Sequence, residues 1–204
     1  MQSEYDAVSH NDTFIASGDS AHVIGVQVGV AHEFSKITQT TIRLIENYGV
    51  EGDAHAGRSD QHLFHIRRFG DQPNLRQVHL IQAEFFDELT EEGHVVRPGD
   101  LGENIATRGV DLLSLPTGAR LRLGAEAKIE LTGLRNPCHQ IDNFQAGLLQ
   151  HCKVATPDGV VRKAGVMAIV IKSGVVKPGD KIWVDLPPGP HKPLVYRTPL
   201  TDKK

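Results

Sequence analysis

Between Ala21 and Val30 the chain reads AHVIGVQVGV, small, β-branched and polar residues in alternation, and this period of two predicts a strand. The same signature recurs at Thr40 to Glu46, Gln77 to Ile81, Val110 to Leu115, Ala119 to Leu123, Ala127 to Leu131, Val166 to Lys172 and Lys181 to Leu186. Each stretch is short, rich in Val, Ile, Leu or Thr, and bounded by Gly, Pro or Asp. About eight such strands suit a closed barrel or a sandwich. Helical spacing appears mainly in two places. In Gln82 to Glu92, Phe85 and Leu89 continue the Ile81 face while Glu84, Asp87, Glu88, Glu91 and Glu92 face water, and Gly93 ends the helix. In Pro137 to Gln150 the apolar stripe is Ile141, Phe144 and Leu148, with Asn136 suited to the N-cap and Pro137 to the first helical position.

Outside this patterned region the chain changes character. Residues 1–20 form a polar extension, 21–186 the folded domain, and 187–204 a Pro-rich tail, expected to lie extended on the surface or to be mobile. The stretch VVRPGD at 95–100 echoes VVKPGD at 175–180, two strand-to-turn junctions with recurring Pro-Gly turn chemistry.

A chain of 204 residues, 39% hydrophobic and 23% charged, is long enough for one domain with a full core. Its 22 basic and 25 acidic residues nearly balance, so no nucleic-acid partner is expected, and anion binding must come from local arginines. No run approaches the roughly 20 apolar residues of a membrane span. The N-terminus lacks a basic start followed by an apolar run, so the cytoplasm is the expected location.

The chemistry concentrates around TGLRNPCHQID, residues 132 to 142. With Asn136 as cap, the sulfur of Cys138 would lie in the first helical turn, where free N–H groups, the dipole, Arg135 and His139 favour a thiolate and a pKa below the free value of about 8.5. Such a thiolate suits a nucleophile, a persulfide carrier or a ligand to a soft metal, whereas an ordinary cysteine there would only fill a small apolar hole. Cys152, at the far end of the same predicted helix, reads as a packing residue.

Two Gly-rich loops, Gly49 to Arg58 with Asp53 and His55, and Pro98 to Ile105 with Asn104, have the composition of backbone that approaches a ligand closely. Arg76 precedes the Gln77 to Ile81 strand on the face of Val78 and Leu80, where it could clamp a phosphate or carboxylate; Arg67 and Arg68 read as solvated surface. Of 11 histidines, His55, His62 and His65 are close in sequence, yet no standard zinc spacing is complete. Dinucleotide, phosphate-loop and nucleophile-elbow motifs are also missing.

From about Val23 to Val184 an ordered series resembles the MOSC domain, the family named for the C-terminal domain of molybdenum cofactor sulfurase. The series is Gly49-x-x-Gly52-Asp53-x-His55-x-Gly57, Arg76-x-Val78-x-Leu80, Pro98-Gly99-Asp100-x-Gly102-Glu103-Asn104-Ile105, Gly118-Ala119-x-Leu121-x-Leu123-Gly124, Arg135-Asn136-Pro137-Cys138 and Gly174-x-Val176-x-x-Gly179-Asp180. The overall look is similar to small stand-alone bacterial members. The resemblance implies a mainly β fold, a closed barrel like the inserted barrel domain of pyruvate kinase with a few peripheral helices. It implies that Cys138 ligates the molybdenum of the pterin cofactor (molybdopterin) or carries sulfane sulfur. Arg76, Asn104 and Arg135, with His55 and Asp53 behind them, are the implied contacts to the cofactor's phosphate and pterin edge. Unlike fused members, the chain has no N-terminal barrel partner, no pyridoxal phosphate desulfurase domain and no iron–sulfur cysteines. The implied partners are a small-molecule substrate and either an electron-donating reductase, for reduction of N-hydroxylated compounds, or a cysteine desulfurase. Whether the chain is itself an enzyme is left open.

Overall fold

Val78, His79, Leu80 and Ile81 are all buried, so the strand they form has protein against both faces, and two hydrophobic cores lie on its opposite sides. The computed structural model describes residues 21–157 and 159–196. The polar extension 1–20 and residues 197–204 of the tail lie outside the described residues. In chain order the strands are β1 (His22–Val28), β2 (Ile37–Gln39), β3 (Ile42–Ile45), β4 (Gly49–Val50), β5 (Val78–Gln82), β6 (Ile105–Arg108), β7 (Arg120–Leu123), β8 (Ala127–Leu134), β9 (Lys153–Thr156), β10 (Gly159–Arg162), β11 (Val166–Lys172), β12 (Gly174–Val176) and β13 (Ile182–Asp185). The helices are α1 (Leu63–Phe69), α2 (Glu84–Glu91), α3 (Gln140–Phe144) and α4 (Leu148–Cys152). Among the described residues no helix is long and apolar enough to cross a membrane.

The fold is mainly β. Its large sheet has the order β13-β7-β8-β11-β5-β6-β1-β2, with β12-β3-β4 and the hairpin β9-β10 as separate small sheets. Every pair in the large sheet is antiparallel except β5 with β6. This order has two ends, so strand pairing gives a large sheet rather than the closed ring expected from the family resemblance. Beyond those pairings, Val23 donates to the Asp180 carbonyl (2.9 Å), Gly179 to that of Val23 (2.8 Å) and Ile182 to that of Ala21 (2.9 Å), linking the start of β1 to the β13 side.

Alternation puts Leu121 and Leu123 of β7, Ile129 and Leu131 of β8, and Val166, Ala168 and Val170 of β11 into the main core with Val78 and Leu80. On the other face of β5, Ile81 meets Phe85, Phe86 and Leu89 of α2, Ile141 of α3, and Leu148 and Cys152 of α4. Full burial of side chains as large as Phe85 and Leu89 contributes roughly 2 kcal/mol each. Gly93, at φ 85, closes α2 by donating to the Thr90 carbonyl.

The structure adds β2, β4, β9, β10, β12 and α1, which the pattern did not predict, and it overturns the sequence expectation at three further places. Val110 to Leu115 is not a strand: Leu112–Ser114 is a 3-10 turn in which the Ser114 hydroxyl donates to the Asp111 carboxylate, an interaction that competes with a ladder. Ile105–Arg108 is a strand, hidden from the pattern because Ile105, Ala106 and Thr107 are all buried and no alternation survives. The expected helix from Pro137 to Gln150 is two short ones, because Gln145 is extended (φ -147) and Gly147 is left-handed (φ 82). The first begins at Gln140 with His139 at its cap, so Asn136 is not the cap and Cys138 sits in the loop before the helix.

Residues 187–196 form a strap across the β7–β8 side. Thr117 donates to the Lys192 carbonyl (2.8 Å), Leu134 to that of Val195 (3.0 Å), and Leu194 enters the main core. At the opposite edge of β8, Arg135 donates to the Gly165 carbonyl (3.0 Å). Gly165 stands at φ 93, and a Cβ there would meet the Leu80 carbonyl oxygen at 2.1 Å. Gly165→Ala is therefore expected to lower stability by at least about 2 kcal/mol in urea unfolding, and an unchanged midpoint would show that β5 and this turn can separate freely.

Candidate functional site

The loop after β4 turns back so that the buried carboxylate of Asp53 reaches three separate segments. It accepts from the Gly29 N–H (3.1 Å), the Lys36 ammonium (2.7 Å), the Asn104 amide (2.8 Å) and the His55 N–H (2.9 Å). The His55 ring nitrogen Nδ1 lies 3.4 Å away. Burial alone would raise the Asp53 pKa, but the contacts with His55 and the charge and hydrogen bond of Lys36 outweigh it and hold the carboxyl well below its usual range. Asn104 is tied as fully. Its amide also donates to the Gln27 carbonyl (3.2 Å), and its Oδ1 accepts from the His79 N–H (3.2 Å). Both Asn104 donors are thus spent on the protein, and this residue fixes β1, β5 and the Asp53 loop against each other.

Beside this knot lies the cysteine loop. Cys138 is partly exposed, and its thiol donates to Gln140 Oε1 at 3.4 Å, a long contact for a weak donor. The Arg135 guanidinium packs toward the Phe34 ring (5.8 Å to its centroid), and its buried Nη1 has no hydrogen-bond partner. Burial lowers the Arg135 pKa, and the thiols of Cys138 and Cys152 and the Glu103 carboxyl oppose that. Glu103 is also buried: Oε1 accepts from the Gly99 N–H at 2.5 Å, while Oε2 has no partner. Burial pushes its pKa up to about 7. Near it, His79 Nε2 lies 2.8 Å from the Ala164 carbonyl, and burial, aided by the charge of Arg135, holds the imidazole neutral with a pKa well below the usual value.

The predicted residues fall into linked groups. Asp53, His55 and Asn104 meet directly; Arg135 and Cys138 share the adjacent loop, and Arg76 is near enough for its charge to act on Arg135. Arg76 precedes β5, with its guanidinium 5.3 Å from the centroid of the Tyr196 ring. Cys152 is wholly buried and its thiol is pushed up to about 11 by burial, an inert packing residue. Sequence reasoning missed Lys36, His79 and Glu103. Glu103 stands inside the second Gly-rich loop, but Lys36 carries no local signal, and its partner is 17 positions away.

The clustered histidines do assemble, as His32, His55, His62 and His65 with successive ring centroids 5.0, 6.4 and 4.4 Å apart, and His65 Nδ1 lies 2.7 Å from Asp60 Oδ2. Burial, then the neighbouring His65, takes the His62 pKa down to about 4. Among the described residues no group of three or more His, Cys, Asp or Glu is arranged to hold a metal ion.

The family model described as MOSC domain matches residues 55–183, more than half of the chain. The chain belongs to the MOSC domain family. Its fold is similar to that of the YuaD protein of Bacillus subtilis, with a TM-score of 0.69 and 23% identity over 82% of this chain and 96% of that one. It is also similar to YiiM of Geobacillus stearothermophilus (TM-score 0.57, 16% identity, 80% of this chain and 74% of that one). A third likeness is to YiiM of Escherichia coli (TM-score 0.53, 21% identity, 86% and 73%). No curated protein matches the chain in sequence.

Two outcomes test the electrostatics of this MOSC domain. Lys36→Met strands the buried Asp53 charge and should cost about 3 to 5 kcal/mol in urea unfolding, while Lys36→Met with Asp53→Asn should cost less; equal losses would mean the pair is not coupled. For Glu103 the folded pKa of about 7 lies above the ordinary 4.5, so the folded protein retains a proton that the unfolded chain releases. Stability should then fall by roughly 3 kcal/mol as pH rises from 4.5 to 7. Glu103→Gln should remove that fall, matching wild type at pH 4.5 and exceeding it at pH 8; parallel stability profiles would refute the assignment.

Proposed function

We propose that this MOSC protein binds the molybdenum cofactor, with Cys138 as a soft ligand to the metal, as the cofactor-bearing component of an oxidoreductase acting on N-hydroxylated compounds. The observation that supports it most is the pairing of a partly exposed thiol with a neighbouring guanidinium whose buried Nη1 has no partner. A soft thiolate suits molybdenum, and a buried guanidinium nitrogen without a partner suits an acceptor such as the cofactor's phosphate. The residues present therefore fit the group. Arg135 and Arg76 would hold its phosphate, while Asp53, Asn104 and His55 fix the loops that face it. Bound there, the cofactor supplies a two-electron redox centre. Neutral His79 and Glu103, with a pKa of about 7, provide groups able to keep or pass a proton inside the site. Electrons would come from a separate reductase, since nothing in the chain suggests flavin or haem, and no pyridoxal phosphate is expected. The backbone bonds joining residues 21–23 to 179–182 support reading the large sheet as a barrel closed at that end.

A second reading rests on the contrast between the cysteines. Cys138 alone is accessible, so it suits a sulfur carrier. Its thiolate would attack the outer sulfur of a desulfurase persulfide, forming a new S–S bond as the donor cysteine leaves as thiolate. Metal analysis and intact mass on protein from a host that makes the cofactor separate the two readings. Near-stoichiometric molybdenum, lost in Cys138→Ala with an unchanged unfolding midpoint, is the expected result. Equal metal in both proteins would overturn the ligand assignment, and metal-free protein with a reducible gain of one sulfur on Cys138 would establish the carrier.

A further inference from the structure

The large sheet ends at β2, and that end is open. At the other end residues 21–23 bond to 179–182 beside β13, but among the described residues no strand other than β1 pairs with β2. Both backbone groups of Gln27 turn toward β6, its N–H donating to the Asn104 carbonyl (2.8 Å) and its carbonyl accepting from the Asn104 amide (3.2 Å). Thr38, which faces Gln27 across the β1–β2 ladder, is therefore in a non-hydrogen-bonded pair, and its own N–H and C=O point outward from the sheet. Proteins usually guard such an edge with a charge, a proline or a bulge. From Ile37 to Thr41 the chain reads ITQTT, without charge or proline, and the β1–β2 register runs unbroken.

The same edge carries exposed apolar surface. Val30, 80% exposed, and Ile37, 68% exposed, are the two most exposed large apolar side chains among the described residues. Both line a groove of about 350 Å³ between β1–β2 and β3–β4, and Arg43 and Glu51 stand on its wall. Among the described residues neither of these charged side chains has an ion pair or a hydrogen bond. A two-fold contact sets a surface against itself, so a groove with one unpaired cation and one unpaired anion is complementary to its own copy. The uncharged edge strand likewise meets its copy with no like charges opposed. We propose that two copies of this chain associate through β2, pairing antiparallel about a two-fold axis at Thr38. Each Thr38 N–H donates to the carbonyl of the partner's Thr38, Ile37 lies across from the partner's Gln39, and Arg43 is set toward the partner's Glu51. The apolar surface at Val30 and Ile37 then leaves water. The pairing bears on the site, because Lys36, whose ammonium holds Asp53, directly precedes β2. It stands whether or not the chain holds molybdenum.

Sedimentation equilibrium of the full chain over a wide range of concentration tests the pairing. Wild type should pass from monomer to dimer as concentration rises. Thr38→Pro removes the outward N–H and leaves the β1–β2 ladder intact, and Ile37→Lys puts a charge on the edge; each should raise the dimer dissociation constant at least about tenfold. Both positions are exposed, so urea midpoints measured at concentrations where the chain is monomeric should stay near wild type, which separates lost pairing from lost folding. Arg43→Glu should weaken the dimer and the addition of Glu51→Arg should restore it, a rescue that identifies a second copy as the occupant. A chain that is monomeric at every concentration, a dimer indifferent to Thr38→Pro and Ile37→Lys, or one that the double charge reversal does not restore would overturn the two-fold pairing. A monomer whose Thr38 amide exchanges slowly with solvent would overturn it as well, and would show that another part of the chain covers the edge.

Discussion

The site depends on one buried carboxylate. Asp53 takes hydrogen bonds from the loop after β1, from a lysine on that loop, from Asn104 and from the backbone two residues ahead. An isolated ionised carboxylate could not remain in this interior, and four donors satisfy it so well that the charged form is the one the fold maintains. Because those donors come from distant parts of the sequence, the charge acts as a fastener. It draws Lys36 inward, holds Asn104, and through Asn104 sets the register of β1 and β5 at the wall of the site.

Against that fully satisfied knot stands a neighbouring region that is deliberately incomplete. Arg135 Nη1 and Glu103 Oε2 are buried without partners, while Lys36 and His79 lie close enough to feel the Arg135 charge. Stable interiors rarely leave such groups unpaired, and where they do the site commonly serves a ligand or a reaction. A MOSC domain that binds an anionic cofactor would use this contrast: rigid loops on one side, unspent hydrogen-bond donors on the other, and an accessible thiol at the rim. The fold separates its two cysteines along the same line. Cys152 is sealed under α4 and inert, whereas Cys138, in a loop between β8 and α3, remains accessible.

The sequence by itself determined the β class, most of the strands, the acidic helix α2, and the ordered motifs that place the chain in its family. Those features are local: alternation, a helical stripe and glycine-bearing turns are written in neighbouring residues. Where both faces of a segment are buried, as in Ile105–Arg108, the pattern that reveals a strand disappears. The break between α3 and α4 was equally hidden, since its cause is a conformation at Gln145 and Gly147 that composition does not announce. Tertiary structure alone decided that Asp53 pairs with Lys36, that Arg162 reaches Asn136, and that the Pro-rich strap carries Tyr196 to Arg76 and Arg162. These are contacts between side chains far apart in the sequence, fixed by the path of the backbone and by the need of buried charge for partners, and no local pattern encodes them.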